Sequence, residues 1–597
     1  MHDTSGQPGT PLRLSRRRLL AGAAAIGTAG TLSALLAACG GATNTPAPAA
    51  STNPAPAASA NPAPTAAAAA PTQAPVTINQ NAAATSVRST ATTGAGAGSS
   101  PASPTAAASA APVGTAGGTF TFSRAVDSDN LDPVIQDGNV DIWVFMNIYD
   151  QLIRVSDDGL TLQPMLAEKW ETSADNLTYT FHLRKGVTFS DGTPLKASDV
   201  VYSLKRAKDT PKSPWSFTYE PVKDITSPDD STVVVTLNQV WAPFLSDISM
   251  FNSSIISEAF AKKIGEDKLV EQTMGTGPFT LGEWKKGEYI LLKKNDKYWE
   301  KGLPLLDQVK ITVVPDDNSR ILQLQGGAID GMADVPLSRV PDLKKDAKLQ
   351  VGLYISTYNN FLVLNTRTGP LSDVKVRQAL NYATDKQALI NVVNFGVGEI
   401  SNSFMPNGAL YWNKDQKGYP LDLEKAKQLI KDSTIPTGGK VAIMVRAGGA
   451  TALQLATALK DMWSKIGIDL DIQQTEATVA TSNYRANKFE IYASGWTNDI
   501  IDPDELVSYA ILPEQTENYH TGWKNQQAID AAKQARATLD DATRRKLYYQ
   551  VQDLHMQDAP FVYLYTLPYV DVLKKQIQGF VHHPMGQWYF TRVSIAK

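Results

Sequence analysis

The clearest structural signal in this chain lies in residues 178–200, which read TYTFHLRKGVTFSDGTPLKASDV. Apolar Tyr179 and Phe181 alternate with polar neighbours, and this period of two is typical of a half-buried strand. Residues 187–189 predict a second strand, which ends in a Ser-Asp-Gly turn. Ser198 is then expected to cap a helix, because its side chain can accept a hydrogen bond from an unpaired N–H group of the first turn. The stretch therefore predicts strands followed directly by a helix.

Strand and helix patterns alternate through the rest of the chain. β-Branched runs predict strands at residues 232–237, 289–292 and 309–314, and apolar residues at helical spacing predict helices at 373–393, 423–431, 451–466 and 541–555. Ser372 is expected to cap the first of these helices, and its charged residues, Arg377 among them, to form a solvated face. The alternation favours an α/β class with mixed rather than purely parallel sheets.

Size and charge limit the classes of function. About 480 residues follow Gly118, which is more than one hydrophobic core usually supports, so two lobes or more are expected. The formal net charge is −3, and a mildly acidic protein is a poor candidate for binding nucleic acid. The chain has one cysteine, so its fold cannot contain an intramolecular disulfide.

That cysteine, Cys39, ends a segment that resembles the signal of a bacterial lipoprotein precursor. Arginines precede an apolar run, and small residues come directly before Cys39, which are the three parts of a secretory signal. We expect residues 1–38 to be removed and Cys39 to carry lipid, because two or more acyl chains give stable anchoring. A transmembrane helix is the alternative, although glycines dilute the run and no basic flank follows it.

The arginines of this segment also bear on the export route. Arg16 and Arg17 precede two leucines, and the pair resembles a twin-arginine export signal. The motif departs from that pattern at Leu19 and Ala21, where phenylalanine and lysine are commoner. The route therefore stays open between twin-arginine export and general secretion.

Residues 39–117 are predicted to form a linker. They consist largely of Ala, Pro, Thr, Ser, Gly and Asn, and Arg88 is their single charged residue. Such a composition buries too little apolar surface to offset the entropy of ordering the chain, so we expect disorder. The linker would connect a lipidated Cys39 to a globular part that begins at Gly118.

Several blocks of the globular part resemble one family in sequence and in order. Besides residues 178–200, the blocks are PMLAEKWE at 164–171, GTGPF at 275–279, LQGGAID at 324–330, VKVRQALNYA at 374–383 and GWTNDIIDPD at 495–504. They are similar to family 5 extracytoplasmic solute-binding proteins, the dipeptide and oligopeptide receptors of ABC importers. The resemblance covers residues 118–597 and implies a two-lobed periplasmic-binding-protein-like fold with two crossing strands. Lobe I is expected at residues 118–357 plus 566–597, and lobe II at 358–565.

The resemblance also implies binding residues. A strand is predicted at residues 490–494, and Gly495 and Trp496 follow it and lead into a loop with three aspartates. Ligand contacts in α/β folds lie at strand ends. In peptide-binding members the aspartate three residues after this tryptophan, here Asp499, receives the peptide's α-ammonium group, and Trp496 forms part of the wall. Arg446, in a predicted loop after a strand, corresponds to an arginine that clamps the ligand's carboxylate in dipeptide receptors.

The predicted function is therefore a membrane-tethered extracytoplasmic receptor, located at the outer face of the cell membrane or in the periplasm. We expect a monomer that captures peptides in an interlobe cleft and delivers them to an ABC transporter permease, without a cofactor or a metal. Alternative solutes within the same role are a sugar oligomer, a nickel chelate or haem, and sugar binding would use aromatic residues such as Trp215, Trp241, Trp412, Trp496 and Trp523.

A secreted hydrolase is the distant alternative. The sequence contains no Gly-x-Ser-x-Gly elbow, His-Glu-x-x-His pair or Walker loop. His582 and His583 are adjacent, but neighbouring residues of a strand point to opposite sides, which disfavours joint metal binding. We therefore predict that the protein is not an enzyme.

Overall fold

The structure is a computed structural model that describes residues 115–136, 138–516 and 519–596. The predictions for the signal segment, for Arg16 and Arg17, for lipidation of Cys39 and for the linker up to residue 114 lie outside the described residues. Among the residues that the structure describes, no helix is both long enough and apolar enough to cross a bilayer.

The described elements alternate along the chain as the sequence indicates. The strands are β1 (Thr119–Arg124), β2 (Ile153–Val155), β3 (Leu162–Pro164), β4 (Ala167–Thr172), β5 (Thr178–Leu183), β6 (Val222–Asp229), β7 (Thr232–Leu237), β8 (Phe279–Lys285), β9 (Tyr289–Lys294), β10 (Gln308–Val313), β11 (Gly331–Met332), β12 (Leu349–Tyr354), β13 (Asn359–Leu364), β14 (Glu399–Ile400), β15 (Gly439–Arg446), β16 (Ile468–Thr475), β17 (Ile491–Trp496), β18 (Phe561–Thr566), β19 (Tyr569–Lys574), β20 (Ile577–Gln578), β21 (Val581–His582), β22 (Trp588–Tyr589) and β23 (Ser594–Ile595).

The helices lie between these strands. They are α1 (Asn139–Phe145), α2 (Ala197–Asp209), α3 (Phe244–Asp247), α4 (Glu258–Ile264), α5 (Asp317–Gln325), α6 (Val340–Leu343), α7 (Val374–Ala383), α8 (Lys386–Val393), α9 (Leu423–Lys431), α10 (Ala450–Ser464), α11 (Ala477–Arg485), α12 (Asp504–Ile511), α13 (Pro513–Thr516), α14 (Gln526–Arg536) and α15 (Asp541–Asp558). Short 3₁₀ turns occur at Ser216–Tyr219, Phe251–Ser253, Glu266–Val270, Leu337–Arg339 and Pro370–Ser372.

One lobe is built on a seven-stranded and a four-stranded sheet. The seven-stranded sheet has the order β12-β19-β11-β1-β10-β9-β8, in which β1 runs parallel to both of its neighbours and the other pairs are antiparallel. The four-stranded sheet is antiparallel in the order β4-β5-β7-β6. In β5 the side chains of Tyr179, Phe181 and Leu183 are buried while their neighbours are half-buried, which confirms the alternation seen in the sequence.

The other lobe is built on a six-stranded mixed sheet in the order β14-β18-β13-β17-β15-β16. Its middle strands are covered on both faces, because alternate residues belong to two different cores. Phe361 and Val363 of β13 pack in one cluster, and Leu362 and Leu364 pack in another. A sheet with two covered faces needs continuous apolar runs, and FVYLYT in β18 is buried at every position.

Two short segments join the lobes. The first segment leads from β12 of the seven-stranded sheet to β13 of the six-stranded sheet. The second leads back from β18 of the six-stranded sheet to β19 of the seven-stranded sheet. The segments meet, because Leu567 donates its backbone N–H to the carbonyl of Tyr358 at 3.1 Å. The mixed α/β class and the two-lobed fold are therefore confirmed, whereas the lobe boundaries at 357/358 and 565/566 stay a prediction.

The structure corrects the long helix predicted at residues 373–393. Two helices, α7 and α8, lie there, and extended backbone at Thr384 separates them. Ser372 was the wrong cap, because Asp373 accepts the hydrogen bond from the N–H of Lys375 at 2.9 Å. Arg377 is buried rather than solvated, since its guanidinium donates to carbonyls that include Leu371 and Asp558.

Two further predictions within residues 178–200 are wrong. Residues 187–189 form no strand, and only an isolated bridge joins Thr188 to Pro194. Ser198 does not cap α2, which begins one residue earlier at Ala197. The carboxylate of Asp199 instead accepts the backbone N–H of Lys196 at 3.0 Å.

Candidate functional site

The loop after β17 lies where the two lobes meet. Trp496 ends β17, so the strand is longer than the predicted 490–494 and includes both Gly495 and Trp496. The N–H of Asn498 donates to Thr357 Oγ1 at 3.0 Å, and the hydroxyl of Tyr569 donates to Thr497 Oγ1 at 3.3 Å. Thr357 lies in the first connecting segment, and Tyr569 directly follows the second. The loop is therefore held against the two segments that would form the hinge between the lobes.

Asp499 occupies this loop beside a second carboxyl, that of Glu505. Asp499 is half-buried, and Glu505 is buried at the start of α12. Glu505 Oε2 accepts the backbone N–H groups of Asp499 at 2.9 Å and of Ile500 at 3.2 Å. Glu505 therefore shapes the turn that presents Asp499.

The two carboxyls also interact with each other. Burial raises the pKa of Asp499 to about 7, and the side-chain hydrogen bond from Glu505 opposes this shift. Burial together with the charge of Asp499 raises the pKa of Glu505 well above its ordinary value. Two adjacent acids with little water around them cannot both ionise without a nearby cation.

The other aspartates of the loop already have cationic partners. Asp502 forms a bidentate pair with the guanidinium of Arg544 at 2.8 and 2.9 Å. Asp504 accepts hydrogen bonds from Arg536 Nε at 3.0 Å with each carboxylate oxygen. Among the described residues, no lysine, arginine or histidine forms an ion pair with Asp499. Asp499 is thus the aspartate of this loop that can receive an external cation.

Trp496 forms an aromatic wall beside Asp499. Its ring centroid lies 4.7 Å from that of Tyr509 and 5.8 Å from that of Tyr519. Its indole Nε1 is buried and has no hydrogen-bond acceptor among the residues described. Buried indole N–H groups usually find a partner, so this atom is available to a polar group of a ligand.

Arg446 lies at the same edge of the six-stranded sheet but makes no direct contact with Asp499. It is the last residue of β15 rather than part of a loop, and it is exposed. β15 and β17 are parallel, with Met444 beside Tyr492, so their carboxyl ends share one sheet edge. The Arg446 guanidinium donates to Thr481 Oγ1 at 3.3 Å.

The opposite lobe contacts residues close to the loop after β17, and the sequence did not predict these contacts. The N–H of Ala242 donates to the carbonyl of Arg536 at 2.9 Å, and the Arg536 guanidinium lies 4.5 Å from the Trp241 ring centroid. A cavity between the lobes is lined by residues of both, among them Phe217, Trp241, Asp247, Ile500, Glu505 and Arg536. No local sequence pattern predicts that Trp241 contacts Arg536. The run of acidic residues after Asp499, by contrast, could have pointed to Glu505 as a further residue of the site.

No metal centre is evident in residues 115–136, 138–516 and 519–596, where no group of three His, Cys, Asp or Glu residues could hold an ion. His582 and His583 have different partners. His582 Nδ1 contacts Asp571 Oδ2 at 2.5 Å, whereas His583 Nε2 contacts the carbonyl of Ser156 at 2.9 Å.

Comparison with known proteins places this architecture in one class, the two-lobed receptors that enclose a solute. Residues 161–518 match the profile of the bacterial extracellular solute-binding proteins, family 5, middle region. Heme-binding protein A of Haemophilus influenzae is 32% identical over 484 residues, which span 75% of this chain and 87% of that protein. The dipeptide-binding protein of Escherichia coli K12 is 31% identical over 478 residues, which span 75% and 89%.

Solved structures agree with this assignment. The periplasmic binding protein DppA of Helicobacter pylori, solved in complex with the peptide STSA, superposes with a TM-score of 0.71 at 29% identity. The superposition covers 81% of this chain and 99% of that one. The chain belongs to family 5 of the bacterial extracellular solute-binding proteins, a family of receptors for solutes rather than of enzymes.

Proposed function

We propose that this protein captures di- or oligopeptides in its interlobe cleft and delivers them to the permease of an ABC importer. The observation that carries the proposal is the half-buried Asp499 carboxyl, which belongs to the loop held against the connecting segments and has no ion-pair partner among the described residues. A peptide's α-ammonium group entering a closed cleft must be paired, since an unpaired buried charge is very costly. Relatives named for dipeptide binding and for a bound peptide support the same ligand class.

Two further residues complete the proposed site. Trp496 forms the wall beside the peptide's first residue and offers its indole N–H, which is buried without an acceptor among the described residues. Arg446 receives the peptide's carboxylate, because its exposed guanidinium lies at the sheet edge where β17 also ends. A peptide with an amidated C-terminus tests the Arg446 assignment.

The remaining parts of the proposal concern the setting of the receptor. We assign residues 118–357 plus 566–597 to lobe I and residues 358–565 to lobe II. The protein acts as a monomer outside the cytoplasm, held to the membrane by lipid on Cys39 after export by a signal that contains Arg16 and Arg17, through either the twin-arginine or the general secretory route. The composition of residues 39–117 suits a flexible tether that lets the receptor reach its permease.

The experiment is a cycle of four calorimetric titrations. Wild type and Asp499→Ala are each titrated with trialanine and with N-acetyltrialanine. Removing one partner of a desolvated ion pair costs roughly 2–5 kcal/mol, or about 30-fold to several-thousand-fold in affinity. Asp499→Ala and N-acetylation should each cause a loss of this size, and the two losses should not add, because both remove the same contact.

The control is Asp296→Ala, which removes an exposed carboxylate and should bind trialanine like the wild type. Fully additive losses, or equal binding of both peptides by the wild type, would rule out Asp499 as the amine acceptor. Haem carries propionates and no ammonium group, so tight binding of haemin that does not depend on Asp499 would favour the alternative named by the Haemophilus relative. Mass spectrometry of the solute released from the purified protein then identifies the ligand.

A further inference from the structure

Glu505 is a buried carboxyl with one unused oxygen. It is 4% exposed, and its Oε2 already accepts two backbone N–H groups of the loop, those of Asp499 and Ile500. Its Oε1 is buried and has no hydrogen-bond donor among the described residues. A buried acceptor without a donor is costly, so this oxygen needs either a proton of its own or a donor from a ligand.

The neighbouring arginines do not supply a donor. Arg536 is held by Asp504 and Arg544 by Asp502. The other titratable groups around the two carboxyls are phenols or acids: Tyr509 of α12, Tyr519, Tyr569 of β19, and across the cavity Glu220 and Asp247. Asp499 and Glu505 thus form a carboxyl pair without a protein counter-ion among the described residues.

We propose that Asp499 and Glu505 share one proton in the empty receptor and that the ligand's ammonium group displaces this proton to solvent on binding. The inference rests on the proposed function, because it takes Asp499 as the amine acceptor. The exchange balances: a carboxylic acid paired with a carboxylate, plus an ammonium ion, becomes two carboxylates around the ammonium ion and one free proton. Glu505 is then the second carboxyl of the amine site and links peptide capture to pH.

The direction of the pH effect follows from linkage. In the empty receptor the carboxyl pKa values are raised, to about 7 for Asp499, and the arriving cation lowers them again. A ligand that lowers a carboxyl pKa binds more weakly below the empty-state pKa, where the proton competes. Affinity should therefore rise between pH 5.5 and 7.5, by up to about tenfold per pH unit for each proton released. The probe stays more than about half protonated throughout this range, because α-amino groups have pKa values of about 7.7–8.0.

The test measures proton release by calorimetry with trialanine at pH 7 in phosphate and in Tris, two buffers of different ionisation enthalpy. The wild type should release about one proton per peptide bound. Glu505→Gln keeps a carbonyl acceptor for the two backbone N–H groups but removes the acid, so its proton release should fall to near zero and its pH profile should flatten. Glu168→Gln removes an exposed carboxyl remote in sequence and should behave like the wild type.

A second readout needs no ligand. At pH 7 the infrared carbonyl band of protonated carboxylic acids should be stronger in the unliganded wild type and in Glu168→Gln than in Glu505→Gln, where other buried acids such as Asp247, whose pKa is raised by burial, still contribute. A band of equal strength in the wild type and Glu505→Gln overturns the inference, whether or not trialanine binds. A wild type that prefers trialanine over N-acetyltrialanine but releases no proton contradicts only this inference, whereas equal binding of the two peptides contradicts the proposed function itself.

Discussion

Asp502 and Asp499 stand three residues apart in one loop and have different surroundings. The side chains of Asp502 and Arg544 are 5% and 7% exposed, and their bidentate pair fixes the loop to α15. Asp499 has no such ion pair among the described residues, and its backbone N–H donates to Glu505 Oε2 at 2.9 Å. The motif alone identified the loop, but three aspartates in sequence look alike, and only their neighbours in space distinguish the two that form ion pairs with arginines from the one proposed to bind the ligand.

Asp502→Ala should destabilise the protein strongly. The change leaves the Arg544 guanidinium buried without its partner, and breaking a buried pair in this way costs about 3–5 kcal/mol. The measurement is the urea midpoint followed by intrinsic tryptophan fluorescence. Asp296→Ala, at an exposed aspartate, is the matched control and should shift the midpoint little; a comparable midpoint for the two variants would show that the buried pair adds no stability.

At the scale of the elements, residues 373–393 show why local patterns mislead about boundaries. The apolar period runs through both α7 and α8, so the sequence predicts one helix, yet Asp385 begins a second helix by accepting the N–H of Ala388 at 2.9 Å. Trp463 of α10 donates its indole N–H to Thr384 Oγ1 at 3.0 Å, which ties the break to another helix. The break thus depends partly on a contact from 79 residues away.

Asp385→Ala should shorten or fray α8 at its start. The loss of an N-cap acceptor costs about 0.5–2 kcal/mol, so the urea midpoint should fall modestly and with an unchanged slope. Asp385→Asn keeps an oxygen acceptor and should retain most of the stability. If the asparagine and alanine variants were destabilised equally, the side-chain cap would not be the cause.

For the whole molecule, the two lobes and their hinge determine how a ligand is enclosed. Trp241 and Ala242 of one lobe contact Arg536 of the other, so we expect hinge opening to break these contacts. Hinge closure of this kind occurs on a microsecond-to-millisecond timescale.

Small-angle scattering should therefore report closure. Saturating trialanine should shift the population toward compact, closed molecules, and the change should be smaller for Trp241→Ala, which loses the cation–π contact worth about 0.5–2 kcal/mol. Scattering curves that are identical with and without a tightly bound ligand would contradict hinge closure. Trp412→Ala, within the second lobe's own core region, is a control that leaves the interlobe contact unaltered.

The proposed lipid anchor can be tested by substitution in the native host. Cys39→Ser should abolish lipid attachment, because the chain has no other thiol to accept an acyl-bearing group. Detergent partitioning and mass spectrometry of the N-terminus measure this. A wild-type membrane-bound protein in which unmodified Cys39 still follows Ala38 would refute lipidation.

The sequence by itself determined the α/β class, the family, the period-two strands and the loop that carries Asp499. These features depend on residues close together in the chain: the strand at Thr232–Leu237 and the helix at Leu423–Lys431 were predicted with their observed bounds. Only the tertiary structure decided that β1 pairs with β10 across some 189 residues, that Glu505 faces Asp499 and that Arg536 meets Trp241. Local alternation and capping fix the conformation of a segment, but burial, pairing and charge compensation depend on which distant segment packs against it.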